Sequence, residues 1–187
     1  NRVLTDHISE LLFTTEPSGE ANLRREGIAP EKIHFVGNSM IDSLRTHLNK
    51  ALARKPWRRY GFKPREYGVA TFHRPSNVDN LSVAVELAQA LREVGRELPL
   101  IFPVHPRTLA NSGELWTTLP RVLTSEPLGY LDFIGLMAQA RVVITDSGGI
   151  QEETTALGVP CVTVRPNTER PITLSEGTNR LVTPVAS

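Results

Sequence analysis

Short apolar runs of strand length alternate with longer helical patterns along this chain, and that alternation constrains the fold more than any other feature. The apolar runs fall at 11–14, 33–36, 68–72, 100–104, 121–123, 142–145, 159–164 and 180–182. Helices are predicted at 18–26, 39–53, 81–97, 131–139 and 150–157. Runs such as Val142-Val143-Ile144 are apolar at consecutive positions, which predicts strands buried on both faces, as in a parallel sheet. Strands and helices in strict alternation then predict an α/β fold, a Rossmann-like, doubly wound parallel sheet with flanking helices. Several helix ends are legible. Gly27 follows Arg24-Arg25, Gly158 follows Ala156-Leu157, and Asp79-Asn80 offers a cap ahead of the longest helix. Residues 1–10 read as an amphipathic helix already under way, and without an initiator methionine the chain is expected to be a piece of a longer protein. A boundary is expected near Val36-Gly37-Asn38.

Composition narrows the function classes. With 187 residues, 40% of them apolar, there is material for one α/β domain with a real core and part of a second. A formal net charge of +1 favours neither a nucleic-acid nor a membrane partner. No apolar run approaches the ~20 residues that span a bilayer, and there is no signal-peptide pattern. The single cysteine, Cys161, excludes an internal disulfide and fits a reducing, cytoplasmic compartment. It follows Pro160 in an apolar strand, so a buried structural thiol is expected. No His or Cys pair has zinc spacing and no Asp cluster resembles a calcium or magnesium loop, so no metal is expected. The basic, proline-flanked segment from Lys55 to Arg65 is expected to be a surface excursion with solvated arginines.

The polar motifs share one position. His73-Arg74, His105-Pro106-Arg107, Asp146-Ser147-Gly148-Gly149 and the run from Arg165 to Arg170 each follow an apolar strand. All four therefore belong at the carboxyl ends of strands, where open α/β sheets bind ligands. A strand that turns through Ser-Gly-Gly into a helix suits a phosphate: glycine lets the turn run tight, and the helix N-terminus presents unpaired N–H groups and a partial positive charge. By itself that turn is equally a tight strand–helix connection. Arg170 offers a bidentate phosphate contact, with Ser147 and the Gly148 and Gly149 amides beside it. His73 is a candidate to donate to phosphate or move a proton near neutral pH, or else to order its loop. Arg74 is equally a partner for a carboxylate such as Asp79, and His105 is equally structural or ligand-binding. Glu152 and Glu153 point about 100° apart on a helix, so one can face sugar hydroxyls while the other caps or is solvated.

Taken together, Asp146-Ser-Gly-Gly-Ile-Gln-Glu-Glu153, Thr168-Glu-Arg-Pro171, Phe35-Val-Gly-Asn-Ser-Met-Ile-Asp42 and the His73-Arg74…Asn77 loop resemble the non-hydrolysing UDP-N-acetylglucosamine 2-epimerases. Asn1-Arg2…Thr5 and Pro127-Leu-Gly-Tyr-Leu-Asp-Phe133 fit as well, so the resemblance spans essentially the whole chain. It implies one half of a GT-B-type two-domain architecture, with 1–37 as the last elements of the N-terminal domain and 38–187 as a C-terminal UDP-binding domain. It implies interconversion of UDP-N-acetylglucosamine and UDP-N-acetylmannosamine by elimination and re-addition of UDP, without NAD, metal or other cofactor, in cell-envelope polysaccharide biosynthesis. Carried over by residue, Ser147, Gly148, Gly149 and Arg170 bind the diphosphate, with His73 beside it as the catalytic candidate. Glu153 holds the ribose, Phe133 contacts uracil, and Arg74 with His105 matches an effector site. The full-length protein is expected to be a homodimer. Ser76 stands where the family loop usually has an acid, which weakens the expectation of allosteric activation. The family's proton-moving carboxylates belong to the N-terminal domain and are not in this chain, and its closing helix would be cut short after Ser187. The resemblance thus implies a fragment that binds UDP without turning it over. Two other functions fit the residues less closely, the donor-binding half of a GT-B glycosyltransferase and a non-catalytic nucleotide-sugar-binding domain.

Overall fold

The computed structural model describes residues 1–183. In chain order the elements are α1 (Arg2–Ile8), β1 (Leu12–Thr14), α2 (Pro17–Arg25), a short 3-10 turn (Pro30–Lys32), β2 (Ile33–Phe35), α3 (Ser39–Ala53), a second 3-10 turn (Pro56–Tyr60), β3 (Gly68–Thr71), α4 (Pro75–Val78) and α5 (Leu81–Glu97). There follow β4 (Leu100–Pro103), α6 (Pro106–Thr117), β5 (Val122–Ser125), α7 (Tyr130–Ala138), β6 (Val143–Thr145), α8 (Gly148–Leu157), β7 (Cys161–Val164), α9 (Ile172–Ser175) and β8 (Asn179–Val182). Every predicted strand and helix forms. α3 and α5 have the predicted bounds, and Asn80 caps α5 by accepting from the Ser82 amide at 3.0 Å. The stops at Gly27 and Gly158 are left-handed, with φ of 87° and 66°, conformations that glycine adopts without a steric penalty.

The chain divides into two units, Asn1–Ser43 and Leu44–Ser187. Residues 184–187 of the expected second domain lie outside the described residues. In the first unit β1 and β2 pair in parallel, and Leu12, Leu23 and Ile28 form a small buried cluster. The helix α1 buries no side chain. In the second unit six strands make one parallel sheet in the order β5-β4-β3-β6-β7-β8. Successive strand residues serve opposite faces. Ala70, Phe72, Leu100, Phe102 and Ile144 pack with Leu87, Leu91 and Trp116 of α5 and α6. Val69, Ile101 and Val143 pack with Leu136, Met137, Ile150 and Trp57. α5 reaches the first cluster through Ala84, Leu87, Ala88 and Leu91, one stripe at helical spacing. The sheet is therefore covered on both faces, as its continuously apolar strands require.

Three local expectations need correction. β5 begins at Val122, not Arg121, because Arg121 is left-handed at φ 58° and its guanidinium turns back to the Arg96 carbonyl. α6 was not predicted, although Pro106 directly after the capping His105 is a helix-start signal; its polar composition and the break at Ser112 obscure the period. The basic segment is anchored rather than merely solvated. Trp57 is buried in it, Arg59 pairs with Asp132 at 3.3 Å, and Arg65 donates to the Ala140 carbonyl at 2.8 Å.

Candidate functional site

Strand β3 is the first of the large sheet, and the chain builds outward from it in both directions: β4 and β5 on one side, β6, β7 and β8 on the other. The switch point lies between β3 and β6, where the loops leaving the carboxyl ends of neighbouring strands diverge and open a crevice. The His73-Arg74 loop follows β3 and the Asp146-Ser147 loop follows β6, so these two motifs flank that crevice. The loops after β4 and β7 stand on either side.

Asp146 ties the crevice together. Its carboxylate is fully buried. It accepts from the His73 amide at 3.1 Å, the Arg74 amide at 2.9 Å and Asn77 Nδ2 at 3.2 Å, and lies 3.0 Å from His73 Nδ1. Burial alone would raise its pKa, but the His73 imidazole and the two loop amides outweigh that and hold it below the ordinary value. An ionised Asp146 keeps the proton of His73 on Nδ1 and leaves the other ring nitrogen as an acceptor. The His105 ring sits 5.6 Å from the His73 ring, centroid to centroid.

The helix α8 starts at Gly148, directly after Ser147, whose side chain makes no capping hydrogen bond. Gly148 and Gly149 are not left-handed. The space at Gly148 is tight. A Cβ there would stand 3.1 Å from Glu169 Oε1. Charged side chains therefore stand beside the first turn of α8, where unpaired amides and a partial positive charge are expected.

Those side chains come from the loop after β7, from Arg74 in the loop after β3 and from Glu152 of α8. Arg165 pairs with Glu169 at 2.7 Å, Arg74 approaches Glu169 at 3.3 Å, and Arg170 pairs with Glu152 at 2.9 Å. Glu153 is buried on the next turn. Burial, then the neighbouring Glu152, raise its pKa, against a hydrogen bond with Tyr130. The loop's shape is set by a buried polar network. Thr168 Oγ1 donates to Gln151 Oε1 at 2.6 Å, Asn179 Nδ2 donates to the same oxygen at 3.0 Å, and Thr163 Oγ1 donates to Asn179 Oδ1 at 2.6 Å. Thr173 Oγ1 donates to the Arg170 carbonyl at 2.7 Å.

The comparisons with known proteins bear on this site. Residues 1–187 match the family described as UDP-N-acetylglucosamine 2-epimerase. The chain belongs to that family. It is 43% identical over 193 residues to a UDP-N-acetylglucosamine 2-epimerase of Methanococcus maripaludis, covering 97% of this chain and 52% of the relative. A crystal structure of the Methanocaldococcus jannaschii UDP-GlcNAc 2-epimerase, in complex with UDP-GlcNAc and UDP, superposes with a TM-score of 0.89 at 38% identity, over 98% of this chain and 53% of that one. The Neisseria meningitidis enzyme bound to UDP-GlcNAc gives a TM-score of 0.87 at 29% identity, over 98% and 52%. The chain thus spans about half the length of the curated relatives it matches, and its fold is one half of their GT-B-type architecture.

Of the residues read from the sequence, His73, Arg74, His105, Ser147 and Gly148 stand around the crevice, joined through Asp146 and Glu169. Arg170 and Glu153 lie beside α8, on the Glu152 side. Phe133, on α7, packs partly buried against the core cluster. The contacts of two residues bear on the open alternatives. Arg74 does not pair with Asp79, which is held by Arg107 and Asn111; it donates to the Asp146 carbonyl and reaches Glu169. His105 has a structural task, since its Nδ1 accepts from the Arg107 amide at 3.1 Å and caps α6. Sequence reasoning missed the roles of Asp146, Asn77, Gln151, Asn179 and Tyr130. Asp146 was visible as an acid at the end of a buried strand. Gln151 and Asn179 carried no local signal, because a polar residue on a helix or strand is usually solvated.

Proposed function

We propose that the described chain is the UDP-binding half of a UDP-N-acetylglucosamine 2-epimerase, which in the whole protein interconverts UDP-N-acetylglucosamine and UDP-N-acetylmannosamine. One observation carries this function: the N-terminus of α8 stands at the switch point of a parallel sheet, with Arg74 and Arg165 meeting at Glu169 beside it and Arg170 held farther along the helix by Glu152. That arrangement suits a diphosphate. The Ser147 hydroxyl, the Gly148 and Gly149 amides and Arg170 donate to phosphate oxygens, and Glu153 accepts from ribose hydroxyls. Phe133 of α7 is the candidate to contact uracil.

In the reaction, breaking the anomeric C–O bond leaves charge on the departing UDP. Donors already aimed at its phosphates stabilise that charge with little reorganisation. His73, oriented by Asp146, is the candidate to take up a proton on its outer ring nitrogen and, once protonated, to give it to the leaving oxygen or return it during re-addition. Arg74 and His105 both make internal contacts, and an effector site built on them would use the groups those contacts leave over, such as the other ring nitrogen of His105. The protein of this function works as a homodimer in the cytoplasm.

Thermal unfolding with and without UDP tests the binding. The expected result is a rise in Tm with UDP that Arg170→Ala reduces. An unchanged Tm, or an Arg170→Ala variant with unaltered UDP affinity, overturns the assignment. Supplying the whole protein with UDP-N-acetylglucosamine and no acceptor separates an epimerase from a GT-B glycosyltransferase, since only the epimerase then gives a sugar product of inverted C2.

A further inference from the structure

Arg165 is a charged residue only 7% exposed. Its Nη2 pairs with Glu169 Oε2 at 2.7 Å. Its Nη1 is buried and has no hydrogen-bond partner among the described residues. That nitrogen lies 3.9 Å from where a Cβ on Gly148 would stand, so the idle donor is beside the N-terminus of α8. Leaving a guanidinium donor buried and unpaired is costly. The arrangement makes physical sense if Nη1 is kept for a ligand.

Glu169 occupies the same space from the other side. Its Oε1 lies 3.1 Å from the Gly148 Cβ position and 3.3 Å from Arg74 Nη2. The carboxylate therefore rests between two guanidinium groups at a helix N-terminus, in the setting that would hold a phosphate. Contact with Arg165 above all keeps its pKa at about 2, so it is an anion at every working pH. Its side chain is 48% exposed, which leaves it free to swing into solvent. Around the crevice each arginine already has a carboxylate: Glu169 serves Arg165 and Arg74, and Glu152 serves Arg170. An incoming diphosphate has to displace one of these anions or be repelled by it.

On the basis of the UDP-binding function above, we propose that Glu169 is a placeholder for the diphosphate. In the free chain its carboxylate fills the anion site made by Arg165, Arg74 and the first turn of α8. The nucleotide's phosphate displaces it, takes over Arg165, and gives Nη1 the partner it lacks. The device keeps a buried arginine compensated while the site is empty. It also weakens UDP binding, because part of each phosphate contact replaces an existing carboxylate contact, and Glu169 returns as UDP leaves.

Calorimetric titration of the chain with UDP and with uridine tests this. Glu169→Gln keeps the shape and removes the charge. It is expected to tighten UDP binding about tenfold and leave uridine binding unchanged, because only the phosphates compete with the carboxylate. Arg165→Met is expected to weaken UDP binding and to abolish the gain when combined with Glu169→Gln. UDP affinity that is unchanged or weaker in Glu169→Gln overturns the placeholder role while leaving UDP binding standing. Equal tightening of uridine overturns it too. Absence of UDP binding in the folded wild-type chain overturns both this role and the function it rests on. Should Arg165→Met fail to fold, the half-exposed Glu169 position decides the question alone.

Discussion

Asp146 shows how much one buried carboxylate organises. It holds two backbone amides, a side-chain amide and an imidazole in the loop after β3, across the switch point from its own strand. Asp146→Asn places an NH2 group against donors, and is expected to destabilise the fold by about 2–4 kcal/mol, measured by denaturant unfolding. The pH dependence has a definite sign. The folded pKa is held below the ordinary 3.8, so the stabilisation is present above that value and is lost as pH falls through the folded one. The Asn variant is expected to lack that acid-sensitive component. Glu153 behaves oppositely. Its folded pKa is raised, so folding favours the protonated form, and stability falls as pH rises from its ordinary 4.5 through the folded value. Glu153→Gln is expected to remove this decline while weakening UDP binding more than binding of a 2′,3′-dideoxyribose analogue, a comparison of unfolding curves and titrations across pH.

At the scale of elements, the loop after β7 is positioned by the helix before it and the strand after it. Gln151 of α8 and Asn179 of β8 meet behind the loop and hold Thr168, so Arg170 projects from a backbone fixed on both sides. Gln151→Ala removes the acceptor that both partners share, in a fully buried position. The expected cost is about 2–4 kcal/mol in denaturant unfolding, with a loss of UDP affinity from residues that Gln151 does not touch. Little of this network was legible in the sequence. The Ser-Gly-Gly turn was legible as a helix start, because strand, glycine and helix are adjacent in the chain. The reason for its glycine was not. Its backbone is not left-handed, and a side chain at 148 would first meet Glu169, distant in sequence.

Across the whole molecule, the two units differ in how much they bury. The sheet of the second unit is covered on both faces by large clusters that include Trp116, Phe102 and Tyr67. The first unit has two paired strands and a cluster of three buried residues, and leaves Leu4, Ile8, Leu11, Phe13 and Phe35 exposed. A two-stranded sheet with so little burial is marginal. Hydrogen exchange is expected to be slowest in β3, β4 and β6 and fastest in α1, β1 and β2; equal protection of both units would contradict this. The sequence alone determined the alternation of strands and helices, the parallel sheet and the edge at which every motif emerges, because apolar period and turn residues act over a few positions. Only the tertiary structure decided that β3 lies beside β6, that Asp146 reaches His73, and that Arg74 and Arg165 share Glu169. Those pairings join residues far apart in the chain, and which charge meets which depends on strand order and side-chain direction, which no local pattern encodes.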